Sequence, residues 1–228
     1  MKYFDAHCMI GAHYEPREGK FFGIVDILDE MDFYKIDEAI VYHGIAREHD
    51  FNIGNKMLLE DIKNEPRLHP CWVLGLHYTD KLAHPKIYIK EAINSGVRIF
   101  RLFFGSFISE SINIDLLAYS ELFEILQDYN CPVIIEFESS FKLSASEMTQ
   151  IDGLLQNYPK IPVIFSSMCY DRLILQLIPR MIHFSNLYLM TLGMHSQSDI
   201  TLLVNEGFED RLIYGSGFPW FSGGMTKI

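Results

Sequence analysis

The sequence has little positive charge, no basic run and no long apolar run, and each scarcity excludes a class of protein. Its 228 residues carry 19 Lys and Arg against 30 Asp and Glu, a formal net charge of -11. Phosphate contacts need clustered cations, so we expect no nucleic-acid partner. No apolar run approaches the roughly 18 residues of a membrane-spanning helix, and the first residues lack the apolar stretch of a signal peptide. We therefore expect a cytoplasmic protein with no membrane partner.

Cysteine is also scarce. The four cysteines, Cys8, Cys71, Cys131 and Cys169, lie far apart and show no CxxC spacing. This spacing predicts no structural zinc site. Three of the four adjoin predicted strands, and small apolar thiols are common in protein cores. We therefore expect buried free thiols in a reducing compartment.

What the sequence does contain is a repeated alternation of short apolar strands and amphipathic helices. The predicted strands cover residues 2–6, 39–42, 68–76, 97–103, 131–138, 161–165, 187–191 and 212–214. About eight such units without a linker predict one (β/α)8 TIM barrel over residues 1–228. Few residues follow the eighth strand, so we expect a short or missing last helix. A doubly wound open sheet is the alternative, but it needs a switch-point ligand, and the sequence has no GxGxxG or P-loop.

In a barrel of this kind the functional side chains lie at the C-terminal ends of the strands. The residues at these ends are His7, Met9, His43, His77, Arg101, Glu136, Glu138, Ser166, Ser167, His195, Ser216 and Gly217. An inward carboxylate at Glu136 needs a cation, a metal or a raised pKa, and Arg101 on the preceding strand is its natural partner.

From this set we expect Glu136 and Arg101 to be catalytic. The predicted ligand-binding residues are His7, His43, His77, Ser167, His195 and Ser216. Each prediction has a structural alternative: His43 precedes Gly44 and suits a turn, and an Arg101–Glu136 pair could equally be a satisfied pair in the core.

Four segments resemble the amidohydrolase superfamily, and most closely its amidohydrolase-2 group of metal-dependent hydrolases and decarboxylases. They are Phe4-Asp5-Ala6-His7, Gly96-Val97-Arg98, Cys131-Pro132-Val133-Ile134 and Arg211-Leu212-Ile213-Tyr214-Gly215-Ser216. The resemblance spans the chain in order. It implies a (β/α)8 barrel and a divalent metal, zinc or another, that activates water or orients substrate. It also implies the ligands: His-x-His after the first strand, a His ending each of the fifth and sixth strands, and an Asp after the eighth.

The sequence departs from that ligand pattern at most positions. His7 keeps the first, whereas Met9, Glu136, Ser167 and Gly217 stand at the other four. Tetrahedral zinc needs at least three protein donors. We therefore expect no metal cofactor, unless a rebuilt site holds zinc or another divalent ion through His7 and Glu136.

Three functions remain open from the sequence. The first is an amidohydrolase-like barrel with a degenerate metal site that binds a small polar or carboxylate ligand, the latter on Arg101. The second is an active hydrolase or lyase with a site rebuilt from His7, Glu136 and one of the histidines at 43, 77 and 195. The third is a structural or assembly protein, because a missing last helix would leave barrel surface for a second copy to cover.

Overall fold

The strands of this protein lie side by side in chain order. The computed structural model describes residues 2–11, 23–75, 84–104, 115–137, 143–167, 170, 173–194 and 196–220. Each strand pairs in parallel with the next along the chain. The strands are β1 (Phe4–Ile10), β2 (Glu38–His43), β3 (Leu68–Val73), β4 (Ile99–Phe104), β5 (Val133–Phe137), β6 (Val163–Ser167), β7 (Leu187–Met190) and β8 (Leu212–Ile213).

The sheet closes where the end of β8 and the turn after it meet β1. The amide of Ala6 donates to the carbonyl of Tyr214 at 2.9 Å, and the amide of Met9 donates to that of Phe218 at 2.9 Å. The amide of Gly217 returns a hydrogen bond to the carbonyl of His7 at 3.1 Å. These contacts confirm the predicted (β/α)8 barrel, and the open doubly wound alternative is wrong.

Helices alternate with the strands as the apolar periodicity predicts. They are α1 (Ile24–Tyr34), α2 (Gly44–Glu48), α3 (Phe51–Ile62), α4 (Pro85–Asn94), α5 (Ser120–Asp128), α6 (Ala145–Asn157), α7 (Ile174–His183) and α8 (Gln197–Asn205). A short 3-10 turn, Glu209–Arg211, leads into β8. The expected short or absent last helix concerns residues after 220, which lie outside the described residues. No helix in the described ranges is long and apolar enough to cross a membrane.

Local sequence explains how helix α6 begins. Ser144 caps α6: its Oγ accepts from the amide of Glu147 at 3.2 Å, and the Glu147 carboxylate accepts from the amide of Ser144 at 2.7 Å. This reciprocal pair is a capping box, which a Ser followed three residues later by a Glu favours. Helix α7 contains Pro179 in its interior and continues to His183. Three cysteines, Cys8, Cys71 and Cys131, are buried free thiols as expected, and Cys169 lies outside the described residues.

The register of the strands decides which side chains face the barrel interior. Phe103 on β4 pairs with Glu136 on β5, which pairs with Ser166 on β6. Paired residues of a parallel sheet point to the same face, and their neighbours in sequence point to the other. Phe137 accordingly lies on the outer face, where it stacks on Phe104 and Phe165.

Candidate active site inside the barrel

The centre of the barrel holds a cluster of three buried side chains that share one carboxylate oxygen. Nε2 of His7 lies 2.7 Å from Oε2 of Glu136. Nη1 of Arg101 donates to the same oxygen, and Nη2 of Arg101 donates to the carbonyl of Ala6 at 3.2 Å. All three side chains are buried. The structure therefore contains the Arg101–Glu136 pair expected from the sequence and adds His7 to it.

The charges of this cluster follow from its burial and its neighbours. Burial acts first on Glu136 and would raise its pKa, but His7 and Arg101 reverse that shift and hold the pKa at about 2. Burial lowers the pKa of His7, and Arg101 lowers it further against the opposite pull of Glu136. At neutral pH the cluster therefore contains an ionised carboxylate, a guanidinium cation and a neutral imidazole.

The neutral imidazole of His7 can adopt only one tautomer in this geometry. An ionised carboxylate accepts hydrogen bonds and donates none. Nε2 of His7 must therefore carry the proton that bonds Glu136. The other ring nitrogen, Nδ1, is left with a lone pair, and it has no hydrogen-bond partner among the described residues.

Tyr42, which sequence reasoning did not select, supports both His7 and Arg101. Its ring meets His7 edge to face at a centroid separation of 5.7 Å. The Arg101 guanidinium carbon lies 4.6 Å from the centroid of the same ring, within the range of a cation–π contact. Met9 pairs with Tyr42 and Ile10 pairs with His43. Tyr42 therefore faces the barrel interior, the position that the sequence predicted for His43.

His43 is directed away from this cluster. Its Nδ1 accepts from the amide of Ile45 at 3.1 Å and so caps α2, while its Nε2 lies 3.5 Å from Oδ2 of Asp61 on α3. The ring also packs on Gly11, where an added Cβ would come within 2.3 Å of Nε2. The structure therefore gives His43 a capping role and does not bring it to Glu136.

Asp5 is a second buried acid that the sequence analysis passed over. Its Oδ1 accepts from the amide of His7 at 2.9 Å and from the amide of Ser216 at 3.0 Å. Burial raises the pKa of Asp5, and its hydrogen bonds to Ser216 and His7 oppose the rise. One carboxylate thus joins β1 to the turn after β8. An acid inside an apolar strand pattern was the available signal.

Ser216 uses its polar atoms to close the barrel. Besides the amide bonded to Asp5, its Oγ lies 3.4 Å from the carbonyl of His7 and accepts from the amide of Phe218 at 3.1 Å. The turn packs tightly on the cluster, since a Cβ at Gly215 would lie 2.7 Å from the sulfur of Met190 and 3.0 Å from Cβ of His7. The predicted ligand-binding role of Ser216 stays a prediction.

The two serines at the end of β6 lie on opposite faces. Ser166 pairs with Glu136 and faces the interior, and its Oγ has no hydrogen-bond partner in the described part of the chain. Ser167, the predicted ligand-binding residue, pairs with Phe137 and shares its outer face. His77 and His195, also predicted to bind ligand, lie outside the described residues, as does Glu138.

The residues of the described ranges do not fit a divalent metal. They contain no group of three or more His, Cys, Asp or Glu side chains that could hold one. The Glu136 oxygen that faces His7 already accepts a hydrogen bond from the Arg101 guanidinium. A metal cation at the same oxygen would be repelled by that guanidinium. Zinc sites use at least three protein donors, so the described residues offer no zinc site.

The closed parallel barrel and its interior polar cluster define the class of the protein, a (β/α)8 barrel with a candidate site inside the strands. Within this class, the sequence profile of the family described as Amidohydrolase matches residues 37–226. The chain therefore belongs to this amidohydrolase family, as the resemblance of its segments indicates. No curated protein sequence matches the chain.

Solved structures share the fold at low sequence identity. An uncharacterised TIM-barrel protein from Bordetella bronchiseptica superposes with a TM-score of 0.75 at 17% identity, covering 99% of this chain and 89% of its own. A 2,6-dihydroxybenzoate decarboxylase, solved with 2,6-dihydroxybenzoate, superposes with a TM-score of 0.71 at 14% identity, and the match covers 100% of this chain and 94% of the decarboxylase. A 4-oxalomesaconate hydratase from Rhodopseudomonas palustris superposes with a TM-score of 0.65 at 12% identity, and the match covers 95% of this chain and 82% of the hydratase. At these identities the likeness concerns the fold alone.

Proposed function

We propose that this chain is an amidohydrolase-family barrel that binds a small polar molecule without the metal centre usual in the family. One observation carries the proposal: Arg101 donates to the Glu136 oxygen that also faces His7. The family resemblance implies a metal at these strand ends. Here a guanidinium supplies the positive charge beside the carboxylate, and the cluster is balanced without a metal ion.

The occupied contacts of Arg101 bear on the ligand expected from the sequence. Its two terminal nitrogens donate to Glu136 and to the carbonyl of Ala6, and its Nε has no partner in the described ranges. A carboxylate ligand on Arg101 would share one guanidinium with Glu136 and would bury a second negative charge beside the first. A polar ligand that contacts the other groups of the cluster is the better fit to this charge balance.

Elemental analysis of the purified chain tests the proposal. After expression in medium supplied with zinc and manganese, and after dialysis, we expect a metal content far below one equivalent, because fewer than three donors converge in the part of the chain that the structure describes. Zinc titration followed by calorimetry should likewise show no site of high affinity. Retention of about one equivalent of zinc or manganese through dialysis would overturn the proposal.

A second candidate is a hydrolase or lyase that works by metal-free acid–base chemistry. The observation in its favour is the orientation of His7, whose Nε2 is held by Glu136 while Nδ1 has no partner in the described ranges. A positioned imidazole with one free nitrogen is a common general base. A decarboxylase and a hydratase are among the structural relatives, so lyase activity is the first to assay. Glu136→Gln should abolish any activity found, and unchanged turnover would exclude this role.

Two further expectations from the sequence stay predictions, namely a cytoplasmic location and association with a second copy of the chain. Analytical ultracentrifugation tests the second of these directly. A clean monomer at the concentrations used for ligand binding would argue against the assembly function.

A further inference from the structure

Two buried polar atoms beside Glu136 that can accept a hydrogen bond have no partner within the described ranges, Nδ1 of His7 and Oγ of Ser166. Both residues are almost fully buried, at 1% and 0% exposed. His7 bonds Glu136 directly, and Ser166 is the register partner of Glu136 on the next strand. An unsatisfied buried polar group costs about 1–3 kcal/mol. Nε of Arg101, which can only donate, also has no partner within these ranges, so the inner wall around Glu136 has three unsatisfied polar atoms.

The chemistry of these two atoms limits what can satisfy them. Because Nε2 of His7 carries the ring proton toward Glu136, Nδ1 can accept a hydrogen bond and cannot donate one. The hydroxyl of Ser166 can do either. A complementary group must supply a hydrogen to His7, and a group with both a hydrogen and an oxygen could serve both atoms.

The charge of the cluster limits the complementary group further. The positive charge of Arg101 is balanced by Glu136 through a direct hydrogen bond. A second cation, Arg47, also lowers the pKa of Glu136, and it is paired with Glu48 at 3.7 Å. A ligand carboxylate has no hydrogen to donate at neutral pH, and it would add a negative charge near Glu136 in a buried site, where unpaired charges are costly.

We propose that the small molecule bound in this barrel presents an uncharged amide or hydroxyl group that donates its hydrogen to Nδ1 of His7 and accepts from Oγ of Ser166. This inference rests on the proposed function, since it takes the interior to be a metal-free binding site. It names the ligand class: neutral amides, alcohols and phenols, in place of the carboxylates that the sequence suggested.

Isosteric probe pairs test the ligand class on the full chain. The probes are acetamide against acetate and, as a larger pair, benzamide against benzoate, each titrated while the ¹⁵N resonances of His7 and the thermal midpoint are followed. The amide of at least one pair should bind about tenfold more tightly than its carboxylate, a difference of about 1.4 kcal/mol. It should also shift the Nδ1 resonance more than the Nε2 resonance. Tighter binding of the carboxylates, or no effect of either amide on Nδ1, would overturn the inference.

The adjacent serines supply a matched pair of variants. Ser166→Ala should weaken amide binding about tenfold by removing one hydrogen bond to the ligand. Ser167→Ala removes the same hydroxyl one residue away, from the outer face. A loss confined to Ser167→Ala would contradict the assignment and would favour the residue expected from the sequence.

The two levels of the proposal fail in different ways. If the dialysed protein retains about one equivalent of metal, the metal-free function fails whatever the probes do. If the protein is metal-free and the carboxylates bind more tightly than the amides, only the ligand class fails.

Discussion

The molecule contains two histidine–glutamate pairs with the same separation and different surroundings. Nε2 and Oε2 lie 2.7 Å apart both in His7–Glu136 and in His69–Glu38. The first pair is inside the barrel, with side chains 1% and 4% exposed, and the second is open to solvent at 43% and 33%. We call them the inner pair and the outer pair.

The neighbours of the two pairs differ as much as their burial. Arg101 donates directly to the inner carboxylate, whereas Lys2, itself 82% exposed, reaches the outer one at 3.4 Å. The outer pair is at the N-terminal ends of β2 and β3, the face of a barrel associated with stability more than with chemistry. The same separation therefore has different effects on stability in the two pairs. Water screens the charges of the outer pair, whereas the buried charges of the inner pair are stabilised mainly by each other.

Removing the inner cation should produce the largest difference between the pairs. Arg101→Met keeps apolar volume but leaves the Glu136 carboxylate buried without its cation, and we expect a loss of about 3–5 kcal/mol in unfolding free energy. Urea denaturation measures it. The matched variant Lys2→Met removes the cation of the outer pair and should leave the unfolding midpoint unchanged. Equal losses in the two variants would contradict the contrast.

Acid should weaken the inner pair next. The pKa of Glu136 in the folded protein is about 2, below its ordinary value of 4.5, so the unfolded chain binds the proton first as the pH falls. The stabilisation is complete above about pH 4.5 and is lost as the pH approaches 2. Denaturation measured across this range should show the loss in the wild type.

Two other buried groups shape the same acid profile. The lowered pKa of His7 acts in the same direction as Glu136, from its ordinary 6.5 downward. The raised pKa of Asp5 has the opposite sign, since its contribution is present at low pH and is lost as the pH rises. The Glu136→Gln variant isolates the contribution of Glu136, and an acid profile identical to that of the wild type would refute the assignment.

Neutralising the inner carboxylate should cost somewhat less than removing its cation. Glu136→Gln retains an oxygen that can accept one hydrogen bond, but it leaves Arg101 buried without a counter-charge, and we expect a loss of about 2–3 kcal/mol. Glu38→Gln is the matched change in the outer pair and should have no measurable effect. Chemical denaturation of the two variants side by side makes the comparison.

The smallest expected effect concerns the acids that accept backbone hydrogen bonds. Asp5→Asn keeps the shape of the side chain that joins β1 to the turn after β8 and an oxygen that accepts from both amides. It puts an NH2 donor at the buried position of Oδ2, which has no partner within the described ranges. We expect a loss of about 1 kcal/mol. Asp37 accepts from the amide of Tyr3 at 2.7 Å near the outer pair, and Asp37→Asn should cost less. A larger loss of unfolding free energy in Asp37→Asn than in Asp5→Asn would show that burial does not set the strength of these hydrogen bonds.

The fold could be predicted from the sequence because it depends on a pattern repeated along the whole chain. The Arg101–Glu136 pair could also be predicted, since consecutive strands of a barrel are neighbours. The direction of each side chain could not be predicted, because an error of one residue in placing a strand moves every side chain to the opposite face of the sheet. This explains why Ser167 was preferred to Ser166, and His43 to Tyr42.

The contacts of β1 show a second limit of sequence reasoning. Its register with β2 shifts between Asp5 and Cys8, and no local pattern reports such an irregularity. Asp5 was missed for a related reason. Its partners are the backbone amides of His7 and Ser216, one of them from the far end of the chain, and backbone amides leave no signature in a sequence.

The protonation of His7 tests the central claim most directly, because both the metal-free cluster and the ligand class depend on it. A long-range ¹H–¹⁵N spectrum of the histidine-labelled wild-type protein at pH 7 reports which ring nitrogens carry hydrogen. The account predicts a neutral His7 with its proton on Nε2 and a lone pair on Nδ1. An imidazolium at His7, or a proton on Nδ1 with Nε2 bare, would contradict it.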